Sequence, residues 1–194
     1  MASLLHLKPV CARLAAALVL CSSLSFEPAG ASPVFKAAAL GGSVYDSIGQ
    51  SEEVDPLLLY AVSLTESAYN AGVKGFVKPS VYAIRTPNGA IYPKDLDEAK
   101  RQLWTAVKAY GARRIDVGLM QINGQHWHRL GLPVFALFNP KVNVRFGARI
   151  LKEAMRSSPE DLAVGIGRYH SYTPSRAVPY GRRVLQIYSR IKGL

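Results

Sequence analysis

The 194-residue chain is long enough for one domain with a buried core, and 49% of it is hydrophobic. Its formal net charge of +11 suits an anionic partner such as a cell-wall polymer, lipid head groups or DNA, without choosing among them; a solvated basic surface is the plain alternative. Both cysteines, Cys11 and Cys21, lie near the start, which excludes a disulfide framework and thiol chemistry from the rest.

Residues 1–31 have the layout of a secretory signal peptide. His6, Lys8 and Arg13 precede an apolar run from Leu14 to Phe26, and Ala29-Gly30-Ala31 offers a small-x-small cleavage site. A membrane anchor is the alternative, but the run is short for a span. A lipoprotein site at Cys21 is disfavoured by the bulky Leu20 before it. Cleavage removes Lys8, Arg13 and Glu27 and leaves a charge of +10. The expected destination is the periplasm, with no membrane span after cleavage. Residues 32–42 then read as a linker and 43–194 as the folded domain.

The domain reads as mainly α. A short helix is expected over Ser43–Gln50. Asp55-Pro56, a cap followed by proline at the first helical position, starts a second that runs to about Asn70, with Gly72 near its stop. Residues 75–93 have β-prone residues on both sides of Pro87-Asn88-Gly89, the pattern of a small hairpin or ordered loop. Asp95 and Glu98 form a capping box for a helix with its apolar stripe at Leu96, Ala99, Leu103, Ala106, Val107 and Tyr110, ending at Gly111. The stretch "DVGLMQINGQHWHRLGLP" reads as a turn, a short buried segment and one short helix. Asn139-Pro140 starts a helix, Ser158-Pro159 another that ends near His170, and Thr173-Pro174 a last one to about Ile191. Pro179 either kinks that helix or marks its true start.

Glu66 stands out within "LLLYAVSLTESAYN". It lies on an apolar helix with no lysine or arginine within helical reach, and near the helix's negative end. Desolvation and the dipole both raise its pKa, and a glutamate protonated near neutral pH is suited to general acid catalysis. A distant arginine partner is the structural alternative.

Four segments in order carry a resemblance: "TESAYN" at 65–70, "DVGLMQIN" at 116–123, "NPKVNVRFGARIL" at 139–151 and "AVGIGRYHS" at 163–171. Together they resemble the family 1 lytic transglycosylases of lysozyme-like fold, closest to the small forms that accompany conjugation, pilus and type III or IV secretion systems. The resemblance covers about residues 43–191. It implies that Glu66 is the single catalytic acid/base, with Ser67 as its usual serine neighbour. It implies that Gly118, Leu119, Met120 and Gln121 line the saccharide groove. There the glycine would let substrate approach the backbone, and Gln121 would hydrogen-bond sugar substituents. Tyr169 and Tyr180 match tyrosines beside the glutamate and in the last helix of the groove. The substrate implied is the peptidoglycan glycan strand, with 1,6-anhydro ends as product, and components of such an envelope apparatus are the implied protein partners. The chain departs from the family at His170, Ser171 and Tyr172, and in a longer segment from Gly75 to Lys94 that reads as a substrate flap or a solvated insertion.

Two carboxylates are usual in glycosidases. Most of the others here sit at helix starts, and only Asp116 lacks an evident structural task. A lone acid suits a transglycosylase, whose substrate's N-acetyl group is thought to stabilise the cation; Asp116 placing a water would instead make a hydrolytic muramidase. His126-Trp127-His128 does not put two histidines on one helix face, so neither metal nor cofactor is expected. Trp127 reads as core or groove wall, with stacking on a sugar ring as the alternative. A non-catalytic wall-binding or assembly factor is a further alternative. A nucleic-acid binder lacks any recognised motif, so no nucleic-acid partner is expected.

Overall fold

A computed structural model describes residues 40–70 and 77–193. The expected leader, all of the linker before Leu40, and Gly72 lie outside the described residues. What is described is a mainly α, lysozyme-like domain with two small antiparallel sheets.

Six α-helices start where the sequence provides caps. Helix α1 (Val44–Glu52) is capped by Ser43, whose side chain accepts from Asp46 N. Helix α2 (Pro56–Ser67) is capped by Asp55, which accepts from Leu57 N. Helix α3 (Leu96–Tyr110) starts at Asp95, which accepts from Glu98 N, while the Glu98 carboxylate reaches back to Lys94 N and not to Asp95 N. Helix α4 (Pro140–Arg156) is capped by Asn139, α5 (Leu162–Gly167) by Asp161, and α6 (Pro174–Lys192) begins with Pro174. Each side-chain cap fills a backbone N–H that the helix leaves unpaired.

Two helices differ from the sequence reading, and one alternative for a third falls away. α2 stops at Ser67, not near Asn70, because Ala68–Asn70 form strand β1 and pair with β2 (Val77–Pro79). α5 starts at Leu162 and ends at Gly167, shorter than the run from Ser158 to His170, because Asp161 and not Ser158 makes the capping bond. α6 starts at Pro174, as expected, and continues through Pro179, so Pro179 does not mark its start.

The expected β element is a hairpin of β3 (Ile84–Thr86) and β4 (Gly89–Ile91) around Pro87-Asn88. Thr86 Oγ1 accepts from Asn88 N and donates to Gly89 O, which fixes the turn. The hairpin joins β5 (Asp116–Val117) and β6 (Ile122–Asn123) in a sheet of order β4-β3-β5-β6.

The core gathers around α2, whose Leu59, Ala61 and Val62 are fully buried, with Ile84, Met120, Leu151 and Val184 closing on it. A helix this buried needs other elements on nearly every side. α1, α6 and β2 supply them. At one edge Arg149 grips the Glu52 carboxylate through Nε and Nη2 at 3.0 and 2.9 Å, and Lys152 bonds Glu53 at 2.7 Å. This clamp between α1 and α4 is the task of Glu52 and Glu53. Among the described residues no helix is long and apolar enough to cross a membrane.

Candidate active site

Glu66 occupies the last turn of α2, two residues before β1 begins at Ala68. It is half-buried. Tyr180, from α6, donates its hydroxyl to Glu66 Oε1 at 2.6 Å. Burial pushes the Glu66 pKa up from 4.5 to about 7. The Tyr180 hydrogen bond opposes that shift, the nearby Asp116 carboxylate adds to it, and Arg85 and Arg183 oppose it weakly. With Oε1 engaged by Tyr180, the acidic proton is left to Oε2. The carboxyl group is therefore protonated near neutral pH and held in one orientation, the two requirements of a general acid.

The turn Gly118–Gln121 is the frame on which these residues hang. Ser67 Oγ donates to Leu119 O at 2.6 Å, and Tyr169 Oη donates to Met120 O at 2.6 Å. The turn is locked from behind by Asn143 on α4. Its Oδ1 accepts from Met120 N at 2.8 Å, and its Nδ2 donates to Val117 O and Leu137 O, both at 2.9 Å. Asn143 is fully buried and every one of these bonds is internal.

This geometry changes the reason for the motif. Gly118 has φ +81, and a Cβ there would lie 2.1 Å from Asn143 Nδ2. Its bare face admits Asn143, not a sugar. Leu119 and Met120 are buried, and Met120 packs where a Cβ on Gly147 would lie. Gln121 is buried with φ +46, and its Nε2 donates to Ala83 O and Gly118 O at 3.2 and 2.9 Å. The amide nitrogen is thus committed inside the protein.

Asp116 faces the same space. It sits in register with Arg85 on one side and Asn123 on the other, and Asn123 Nδ2 donates to Asp116 Oδ1 at 2.7 Å. Burial raises its pKa, while Asn123, Arg85 and His170 oppose the rise. His170 stacks on Tyr180 with centroids 4.9 Å apart and planes 5° from parallel. It braces the ring that holds Glu66. Tyr172 is largely exposed, with Arg168 over its ring.

The structure therefore gathers Glu66, Ser67, the Gly118–Gln121 turn, Tyr169 and Tyr180 around one point. Sequence reasoning missed Asn143, and it noted His170 only as a departure from the resemblance. Asn143 carried a signal: it is a polar residue next to Val144 and one turn before Gly147, on a face that is otherwise apolar. Trp127 donates Nε1–H to Ile122 O at 3.1 Å and packs against the core, which is a wall role. Among the described residues no group of His, Cys, Asp and Glu is placed to hold a metal ion.

The family model of the transglycosylase SLT domain matches residues 43–187, from the cap of α1 into the second half of α6. The chain belongs to that family. Members of the SLT family are lytic transglycosylases, and their substrate is peptidoglycan. The matched span of this SLT domain includes Glu66, the Gly118–Gln121 turn, Tyr169 and Tyr180. No curated protein and no solved structure matches the chain significantly.

Proposed function

We propose that this SLT domain is a lytic transglycosylase that cleaves the β-1,4 bond between N-acetylmuramic acid and N-acetylglucosamine, with Glu66 as its single acid and base. Glu66 gives its proton to the glycosidic oxygen, and the bond from that oxygen to C1 of the muramic acid breaks. The departing N-acetylglucosamine leaves with a new 4-hydroxyl. The N-acetyl group of the substrate supports the positive charge at C1. Glu66, now a carboxylate steadied by Tyr180, takes the proton of the 6-hydroxyl, and O6 closes on C1. The product is a 1,6-anhydro ring, and no water is consumed.

The observation that carries this reading is the half-buried Glu66 held by Tyr180 inside a chain that matches the family over 43–187. Ser67, Gly118–Gln121 and Tyr169 serve as the frame and wall of the groove, chiefly by holding the backbone in place. The test is the digestion of purified sacculi by wild type and Glu66→Gln. Wild type releases anhydro-ended muropeptides, and Glu66→Gln releases none while keeping its fold. Equal release by both variants sinks the assignment. Sacculus binding with no soluble product from wild type leaves only an assembly factor.

One observation favours a second reading. Asp116 lies near enough to Glu66 to raise its pKa, so a second carboxylate faces the site. If it places a water, the enzyme is a muramidase, and its products carry reducing ends heavier by one water. Mass spectrometry of the same digest separates the two.

We also propose export to the periplasm through cleavage after Ala31, where the domain opens the wall locally for a secretion, pilus or conjugation apparatus. The leader's layout and the resemblance to the small forms support this. N-terminal sequencing of the exported protein is expected to begin at Ser32.

A further inference from the structure

The residues after Glu66 build something the mechanism does not use. β1 and β2 form a two-stranded ribbon that leaves the catalytic helix at Ser67, and Ser80 N bonds back to Ser67 O at 3.0 Å. Tyr69 on this ribbon stands opposite Lys78, whose Nζ lies 5.9 Å from its ring centroid. Tyr92, just after β4, stacks on Tyr69 with centroids 5.5 Å apart and planes 20° from parallel. The Tyr92 hydroxyl donates to Ala68 O at 3.3 Å, two residues past Glu66. The Tyr92 backbone is fixed between β4 and the buried Pro93. Yet Tyr92 is 41% exposed.

An aromatic ring so well fixed has little conformational freedom left to lose on binding. Its neighbour covers one face and its hydroxyl is tied to the backbone. The apolar C–H face of a pyranose fits such a flat, partly solvated ring, and Tyr92 is tied to the chain just after the catalytic acid. We infer that Tyr92, backed by Tyr69, is a saccharide subsite that carries a pyranose of the glycan strand beside the cleavage point. This rests on the proposed transglycosylase reading and assigns a use to residues 77–94: they form a substrate wall.

The test uses soluble, peptide-free glycan strands. Binding is measured on Glu66→Gln, which cannot turn them over, alone and with Tyr92→Ala or Tyr92→Phe. Turnover is measured with Tyr92→Ala and Tyr92→Phe on the otherwise intact chain. Tyr92→Ala is expected to weaken binding about threefold to tenfold, the size of a lost aromatic contact. KM should rise with little change in kcat, and Tyr92→Phe should keep most of the affinity because the ring remains. Equal affinity for Tyr92→Ala and its parent overturns the subsite. So does an equal loss in Tyr92→Phe, or a fall in kcat in both variants, since either shows that the hydroxyl steadies the chain after Glu66. A loss seen only on strands that keep their peptides also overturns it, in favour of a peptide contact. Binding and turnover that ignore Tyr92 leave the transglycosylase reading intact. Absence of any glycan binding by Glu66→Gln and of any turnover by wild type removes both.

Discussion

At the scale of single residues, Glu66 sets the pH behaviour. Its pKa of about 7 lies above the ordinary 4.5 because burial disfavours the carboxylate. The rate on sacculi is therefore expected to fall about tenfold per pH unit above about pH 7, as the acid loses its proton. Two substitutions should move that limb in opposite directions. Tyr180→Phe removes a bond that favours the carboxylate, so the limb moves to higher pH; Asp116→Asn removes a like charge, so it moves to lower pH. A pH–rate profile of each variant checks both. The same shift bears on stability. The folded state binds the Glu66 proton more tightly than the unfolded one, so stability is unaffected below about pH 4.5 and declines as pH rises through about 7. Glu66→Gln should consequently be more stable at pH 8 than wild type, by on the order of 2 kcal/mol given the partly solvated face, and no more stable at pH 4. Urea melts at the two pH values test this. The cost of Glu66 was legible from its apolar helix and the absence of a nearby cation. Its partner was not, because Tyr180 lies 114 residues away and no local pattern joins them.

At the scale of elements, the Gly118–Gln121 turn decides whether the site exists. Asn143→Ala leaves Met120 N, Val117 O and Leu137 O without their buried partner. It should cost about 3 kcal/mol or more and lower activity at temperatures where the fold survives. Gly118→Ala should be at least as damaging, since the left-handed backbone and the contact with Asn143 both resist a Cβ. Denaturant midpoints and sacculus assays on both variants are the check. Helix starts were readable because Asp55, Asp95 and Asn139 act within their own first turn. The end of α2 was not. What stops it is pairing of Ala68–Asn70 with a segment further along the chain, and helical periodicity carries no trace of that. The internal bonds of Gln121 were not legible for a related reason. Its motif marks a turn held from inside, and a polar side chain in a turn looks the same in sequence whether it faces a sugar or two carbonyls.

For the whole molecule, charge and helix order matter most. A basic chain acting on an anionic wall should lose kcat/KM on sacculi as sodium chloride rises from about 20 to about 300 mM, because screening shortens the reach of the attraction. Turnover of an uncharged glycan oligomer should change little over that range. The last helix has a second consequence. α6 meets α2 at both ends: Tyr180 holds Glu66 near its finish, and Tyr188 donates to Asp55 at its cap, at 2.6 Å. A ribosome delivers Glu66 early and Tyr180 late. Until α6 emerges, the growing chain carries the proposed acid without the helix that aims it. Tyr180 thus acts as a safety catch: the proposed wall-degrading site is complete only once α6 has docked on α2.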